Sequence, residues 1–403
     1  MPNKPHLNLK RKEDCCGCRS CEQICPRQCI SMQEDFEGFR YPVVDEDKCI
    51  HCGLCVSRCP MENFPALDDR LKNKIVYAAR LKDDNALLRS SSGGMFTAIA
   101  CSILKDNGAV FGCALDENFV ARHICVENEV ELDKLRGSKY VASDTNSTYS
   151  KVKNLLNENR KVLYTGCGCQ IAGLRKFLGK DYDNLLTMEV ICHGTPSQKL
   201  FSKHIEALSQ NLGEKIESYE FRSKQDGWGL NYKTKTKTKT KTIFCQADKD
   251  PYYASFLRGK TYRPCCYECH FATSGRVADI TIGDFWGIEL FHPSFYDRRG
   301  ISGIMFNTVP GQKIWDSIRD YIEYIPSNFD EFSHRNGNLK HPTKKPTCRE
   351  KIYEGIDDVP YTIFSKKLQL HGKEKLISTI KNVLPKSIRI MINRVVFKVK
   401  GIK

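Results

Sequence analysis

Two cysteine runs near the N-terminus constrain this chain more than any other feature. Cys15-x2-Cys18-x2-Cys21-x3-Cys25-Pro26 recurs as Cys49-x2-Cys52-x2-Cys55-x3-Cys59-Pro60 with every spacing intact. This is the doubled C-x2-C-x2-C-x3-C-P pattern that holds two [4Fe–4S] clusters. The short gaps let three thiolates of one loop wrap a single cubane face. The fourth cysteine is expected to open the following helical turn and so to point at the other cluster. The pattern therefore assigns Cys15, Cys18, Cys21 and Cys59 to one cluster and Cys49, Cys52, Cys55 and Cys25 to the other. Zinc is the competing ligand, but a structural zinc site needs four thiolates and usually shows paired C-x2-C units. Cys16 and Cys29 lie outside the pattern and read as bystanders.

Composition supports a reduced setting. The 403 residues include 21 cysteines, clustered at metal-ligand spacings rather than scattered as disulfide partners. Met1 to Lys12 is polar and basic with no apolar h-region, so no secretory leader is expected, and no run approaches the ~18 apolar residues of a membrane span. A cytoplasmic location fits. The net charge of +15 has two local sources: the five lysines of the Lys-Thr tract Lys233–Thr242, and the Lys366–Lys403 segment with eleven Lys/Arg against the single acid Glu374. The rest of the chain is neutral, which argues against a nucleic-acid-binding face.

Along the chain, Tyr41–Val44 reads as a short strand between the two cysteine loops, and 68–74 as a polar linker. Strands are expected at Ile75–Ala79, Ala109–Leu115 and Ala121–Val126, with a helix over Met95–Lys105 ended by Asn107-Gly108. The pattern then alternates: helix Tyr149–Asn157, strand Lys161–Thr165, helix Gln170–Phe177, strand Leu185–Ile191. A helix over Pro196–Leu208 follows, with Thr195 as N-cap, proline at the first position and Gly213 as stop. A strand resumes over Ile216–Arg222, and another is expected over Asp279–Ile282. This rhythm predicts an α/β layer with a mostly parallel sheet behind a dicluster ferredoxin-like module, a combined α+β and α/β fold. The Lys-Thr tract is compatible with an exposed hairpin strand and with a loop. Ile388, Met391, Ile392, Val395, Val396 and Val399 share one helical face, ringed by Arg389, Arg394, Lys398 and Lys400. That pattern admits contact with an anionic membrane surface, but a helix packed on its own domain reads the same and is the expectation here.

A second set of cysteines falls where strands end. Cys167 and Cys169 follow the strand at 161–165, and Cys192 follows the strand at 185–191. In an open parallel sheet these carboxyl ends line the ligand crevice. Arg263-Pro264-Cys265-Cys266-Tyr267-Glu268-Cys269 adds a C-x2-C pair. Cys169, Cys192, Cys266 and Cys269 make a candidate third cluster, with structural zinc, unligated thiols and a Cys167-x-Cys169 dithiol as the other readings.

At these residues the chain resembles the beta subunit family of coenzyme F420 hydrogenases and dehydrogenases, from about Cys15 to Phe306. The motifs are Ser91-Ser92-Gly93-Gly94-Met95-Phe96-Thr97-Ala98, Gly137-Ser138-Lys139-Tyr140-Val141, Thr165-Gly166-Cys167-Gly168-Cys169-Gln170, Ile191-Cys192-His193-Gly194-Thr195-Pro196-Ser197, Arg263 to Cys269, and Ala278-Asp279-Ile280-Thr281-Ile282-Gly283-Asp284-Phe285-Trp286-Gly287. The family often carries Thr-Pro where this chain has Cys167-Gly168. The resemblance implies a flavin, commonly FAD, beside a third [4Fe–4S] cluster on Cys169, Cys192, Cys266 and Cys269. It also implies hydride exchange with a deazaflavin or another small molecule, and ferredoxin or another redox protein as electron partner. Domains are then expected at 1–65 (dicluster), 74–150 and 151–325 (the family's two α/β regions) and 326–403 (basic extension).

Ser92, Gly93 and Gly94 precede a helix whose positive end suits a flavin pyrophosphate, although a serine-capped helix looks the same. On the resemblance, Lys139 and Tyr140 would contact phosphate or flavin. Arg222, Lys224 and Trp228 follow a strand and suit an anionic substrate or a flavin ring, or else form a basic loop with a packed tryptophan. Asp284 and His193 are the candidates for flavin orientation or proton relay; a turn aspartate and a packed loop histidine are the plainer readings. Three function classes follow: an iron–sulfur flavoprotein oxidoreductase, which leads; a non-catalytic electron-transfer subunit docking on a partner enzyme, for instance in surface-polysaccharide synthesis; and a zinc-stabilised interaction protein.

Overall fold

A computed structural model describes residues 7–64, 74–238 and 241–372, with positions 374–376, 379, 388 and 391 beyond them. The linker expected at 68–74 and the amphipathic C-terminal helix fall almost wholly outside the described residues.

The N-terminal module is built around its cysteines. Two one-turn helices, Ser20–Ile24 and Leu54–Ser57, and a hairpin of β1 (Ile30–Glu34) and β2 (Arg40–Val44) form it, with Ile30 opposite Val44 and Glu34 opposite Arg40. The hairpin turn is fixed by Asp35, whose carboxylate accepts from the N–H groups of Glu37 and Phe39 at 3.0 Å each. Cys25 caps the C-terminus of the first helix, and Cys59 comes two residues after the second. The fourth cysteine of each run thus follows a helical turn rather than opening one.

The larger body holds an eight-stranded mixed sheet. Its strands are β3 (Ile75–Leu81), β4 (Ala109–Leu115), β5 (Ala121–Val126), β6 (Val162–Gly166), β7 (Leu185–Val190), β11 (Ile280–Asp284), β12 (Ser302–Phe306) and β13 (Ile322–Ser327). Their spatial order is β13-β3-β12-β11-β7-β6-β4-β5. The four central strands β11, β7, β6 and β4 run parallel, and antiparallel strands flank them on both sides. The parallel centre is the one expected from the alternating pattern. One flank is β5, which follows β4 directly; the other comes from β12 and β13, far along the chain, which pair with β3 and so join the two α/β regions in one sheet. The boundary expected at 325 falls inside β13.

Helix Met95–Lys105 covers one face of the sheet, with Ile99 and Ile103 packed among Val110, Leu163 and Ile304. Helices Thr148–Asn157 and Gly168–Leu178 cover the other, around Phe111, Tyr164 and Leu174. Burial on both faces explains why β4 and β6 read as mostly continuous apolar runs rather than as alternating sequences. Gln198–Leu212 is a further helix. Its N-cap is Ser197, which accepts from the Leu200 N–H, rather than Thr195; Gly213 ends it in the left-handed conformation.

A second, three-stranded sheet joins β8 (Ile216–Glu220), β9 (Asn231–Thr236) and β10 (Thr242–Gln246) in the order β10-β9-β8. The first half of the Lys-Thr tract is therefore a central strand, with Tyr232, Thr234 and Thr236 buried and the lysines between them on the other face. Ile352, Tyr353, Phe364 and Leu368 pack into the same core as Phe39 and Phe201. The stretch beyond 326, which shows no clear sequence pattern, is in its described part a packed strap. Its Arg349 forms a buried bidentate pair with Glu37 of the N-terminal module, at 2.8 and 2.6 Å.

The module also docks on helix Gly168–Leu178. A Cβ on Gly173 would stand 2.8 Å from the Cys18 Cβ and 2.9 Å from its Sγ, so only glycine allows that approach. Thr145 donates to the Cys18 carbonyl at 3.0 Å, and Asp144 pairs with Arg19 at 2.5 Å and with Arg40.

Candidate functional site

The first cysteine group lines a small cavity: Cys15, Cys18, Cys21 and Cys59 face it, with Leu7, Leu9 and Met32 closing it. Cys25, Cys49, Cys52 and Cys55 line a second one. The crossed set of three near cysteines and one distant one follows from the chain path, because each run's last cysteine leaves its own loop after a helical turn. Backbone N–H groups already aim at sulfur: Gly17 donates to Cys15 Sγ and Leu7 to Cys55 Sγ, each at 3.3 Å. Such N–H···S contacts suit thiolates carrying a cluster's negative charge. Cys29, outside the sequence pattern, faces the second cavity with its Sγ 3.3 Å from that of Cys25.

A cavity of about 520 Å³ opens at the carboxyl ends of the parallel strands. Cys169, Cys192, Cys266 and Cys269 all face it, with Cys16, Cys167 and Cys265 among them. β6 ends at Gly166, and Cys167 then caps helix Gly168–Leu178, its N–H donating to the Gln170 Oε1 at 3.0 Å. Cys192 leaves the end of β7. The loop after it holds the third cysteine segment: the Thr195 carbonyl accepts from the Arg263 N–H at 2.9 Å, placing the 3-10 turn Pro264–Glu268 at the rim. The thiols of Cys167 and Cys192 are neighbours, as are those of Cys16 and Cys169. Cys16 reads as a bystander from spacing, yet it stands between the first small cavity and the strand-end cysteines.

Across the cavity, Asp284 ends β11 and gathers a buried cluster. Arg222 forks onto it at 2.7 and 2.9 Å, and the Trp228 Nε1 donates to it at 2.6 Å. Burial opposes the charge on Asp284, but the Arg222 guanidinium outweighs it and holds the carboxyl below its ordinary value. With its oxygens so occupied, Asp284 orders Arg222, which also donates to the Tyr140 hydroxyl at 3.0 Å and the Ser91 carbonyl at 3.2 Å. Trp228 stacks on Trp286 with ring centroids 4.7 Å apart, and the Arg222 guanidinium lies 5.4 Å from the Trp286 ring centre. Trp286 faces the cavity and offers it an aromatic wall.

The two motif loops meet here. The Ser91 Oγ accepts from the Ser138 N–H at 2.7 Å, tying the segment at 91–94 to that at 137–141. Ser92 and Gly94 face the cavity beside the N-terminus of helix Met95–Lys105, with Met95 and Phe96. Gly93 lies outside the lining. A Cβ there would stand 2.2 Å from the Ala79 carbonyl oxygen, so this glycine serves the contact with β3. Lys139 faces the cavity, but its Nζ donates to the carbonyls of Lys134, Leu135 and Arg136, and burial pushes it down to about 8. Burial, with the Arg222 charge second, pushes Lys224 to about 7; it donates to the Leu87 and Ser92 carbonyls at 2.7 Å each. His193 is exposed to the cavity, and its carbonyl accepts from the Thr343 hydroxyl. His123, which no sequence motif marks, also lines it. Its ring bonds the Thr165 carbonyl at 3.0 Å and Ser143 at 2.8 Å, and burial, pushing it to about 4, keeps it neutral.

Family models match this arrangement over most of the chain. The coenzyme F420 hydrogenase/dehydrogenase beta subunit is matched in two parts, its N-terminal part at 76–149 and its C-terminal part at 159–328. The chain belongs to this family. A 4Fe-4S dicluster domain precedes it at 14–63, which makes the chain an iron–sulfur protein. The coenzyme F420-dependent sulfite reductase of Methanocaldococcus jannaschii is 28% identical over 187 residues, 45% of this chain and 28% of the reductase. NADH-quinone oxidoreductase subunit I of Pelobacter propionicus is 34% identical over 74 residues, 14% of this chain and 40% of that subunit. The chain thus spans well under two thirds of the length of these relatives. Among solved structures, the F420-reducing [NiFe] hydrogenase complex of Methanosarcina barkeri has a chain that aligns with a TM-score of 0.45 at 18% identity, covering 66% of this chain and 90% of that one. Among the described residues, no helix is long and apolar enough to cross a membrane.

Proposed function

We propose that this chain is an iron–sulfur flavoprotein oxidoreductase that passes electrons between its dicluster module and a flavin in the large cavity. The observation that supports this reading best is shared lining. Cys16, Gly17, Arg19 and Met61 face both the first small cysteine cavity and the large strand-end cavity, so the two sites adjoin without intervening chain. Clusters would be held by Cys15, Cys18, Cys21 and Cys59, by Cys25, Cys49, Cys52 and Cys55, and by Cys169, Cys192, Cys266 and Cys269. The last set matches a tetrathiolate in chemistry and faces one space, and all 21 cysteines are free of disulfides.

The cavity volume falls within the roughly 300–1,000 Å³ of small-molecule and cofactor sites. FAD would find the positive end of helix Met95–Lys105 for its phosphates, beside Ser92 and Gly94, and the Trp286 wall and Tyr140 for its rings. A flavin bound there would supply the change between hydride chemistry and one-electron transfer. Arg222, held by Asp284, presents a fixed cation to an anionic group. Lys139 and Lys224 hold the two motif loops in place through backbone carbonyls, and neutral His123 fixes the end of β6. The hydride partner would be a deazaflavin of the F420 kind or another small molecule, with ferredoxin or a similar carrier at the dicluster end.

The test uses the anaerobically purified chain. Reduced deazaflavin, NADH and NADPH are added in turn while flavin absorbance and cluster EPR signals are followed. The account expects one donor to bleach the flavin, followed by reduced-cluster signals. Clusters that accept electrons from ferredoxin in a chain with neither flavin nor hydride turnover would instead make it an electron-transfer subunit.

A further inference from the structure

Arg263, a residue 5% exposed, is a buried cation with no carboxylate partner among the described residues. A charge so placed is costly unless something anionic compensates it. Its contacts show what that something is. The Nε donates to the Cys15 carbonyl at 2.8 Å, one Nη donates to the Arg40 carbonyl at 2.8 Å, and the same Nη lies 3.5 Å from the Cys15 sulfur. The Tyr41 ring lies 4.2 Å from the guanidinium. On the opposite side the chain leaves room: a Cβ on Gly17 would stand 3.0 Å from the other Nη, and Gly17 has φ +73°. The side chain thus occupies a fitted slot against the Cys15 loop, 248 residues away in sequence.

Its backbone belongs to the other cysteine group. The Arg263 N–H bonds Thr195, three residues after Cys192, and its carbonyl accepts from the Cys266 N–H at 2.9 Å. One residue therefore ties the first cluster loop to the strand-end cysteines.

We infer that Arg263 is the internal counter-ion of the cluster on Cys15, Cys18, Cys21 and Cys59, setting its reduction potential above the value the cysteines alone would give. This rests on the reading that Cys15 is a cluster ligand. A tetrathiolate cluster is a net anion, and reduction adds one electron and one further negative charge. A fixed buried cation stabilises the reduced form more than the oxidised one, because the surroundings screen it poorly. Arg263 is a positioning and tuning residue; it is not among the ligands.

The test is a potentiometric EPR titration of the full chain with dithionite, with iron content measured on each sample. The relevant signal is identified by its loss in Cys15→Ala. Arg263→Gln and Arg263→Met, with full iron, should make reduction of that cluster at least tenfold less favourable, a negative shift of about 59 mV or more for one electron. Arg263→Lys, which keeps the charge, should recover most of it, and the Cys25-side cluster should move less in every variant. An unshifted potential in a fully loaded Arg263→Gln or Arg263→Met, or an equal shift of both clusters, overturns the inference. Loss of the cluster from all three variants, Arg263→Lys included, also overturns it, because the slot would then need the shape of arginine rather than its charge. Iron retained in Cys15→Ala would break the ligand reading itself, a different failure.

Discussion

The N-terminal module and the strand-end cavity assemble cysteines in opposite ways. In the module, three sulfurs of each set come from a single loop of seven residues, and a one-turn helix delivers the fourth. In the cavity, four candidate sulfurs come from three segments spread between Cys169 and Cys269, placed by the ends of β6 and β7 and by a turn hung on the Thr195 carbonyl. The local site depends on spacing, and the dispersed one depends on a correctly ordered parallel sheet. The two should therefore respond differently to change.

The largest effects should come from the sulfurs themselves. Cys55→Ala should remove about four irons and leave flavin bound, because it takes one cluster from the module alone. Cys192→Ala should also remove about four irons but disturb flavin binding, since that residue faces the large cavity. Cys16→Ala should keep its iron. Iron and flavin analysis of anaerobic samples checks all three, and identical losses in Cys55→Ala and Cys192→Ala would mean that the two sites do not differ in this way.

Next comes the strap that binds the module to the body. Arg349→Met leaves Glu37 buried and unpaired, which should cost about 3–5 kcal/mol. Chemical unfolding should show the loss, and Arg349→Met with Glu37→Gln together should recover part of it. Gly173→Ala comes third. The added methyl presses on Cys18 where the module docks, for an expected cost of about 1–3 kcal/mol with the main sheet intact by circular dichroism. The last is a pH slope. Between about 7 and its ordinary 10.5, the unfolded chain binds a proton at Lys224 that the folded chain does not. Stability should therefore rise with pH across that window, the penalty being fully present below it. Lys224→Met should flatten this slope, as read from unfolding midpoints measured across it; an unchanged slope would place the charge elsewhere.

Where the chemistry is local, the sequence was readable. Helix Met95–Lys105 and strands Ala109–Leu115 and Ala121–Val126 have the expected bounds, because their apolar periodicity and the Asn107-Gly108 stop lie within the segment itself. Spacing within the runs likewise leaves Cys15, Cys18, Cys21 and Cys59 around one small cavity and Cys25, Cys49, Cys52 and Cys55 around another. What escaped depends on partners far along the chain. One flank of the sheet needs β12 and β13 to return to β3. The hold of Arg222 and Trp228 on Asp284 spans 62 and 56 residues, and that of Arg263 on Cys15 spans 248. Ser197 rather than Thr195 caps its helix because the two residues after Thr195 remain extended, held by the Ala142 and Arg263 contacts to the carbonyls of Pro196 and Thr195. His123 carried no signal, since a lone histidine in a strand has none until the sheet sets it beside Thr165.

On the proposed function, the local cluster module and the dispersed cofactor site form one redox unit. Cofactor stoichiometry of the full chain, purified without oxygen, decides whether they do. The account predicts about twelve irons, as many acid-labile sulfides and about one flavin per chain, from three clusters of four. About eight irons with no flavin, or zinc in place of the third set, would contradict it.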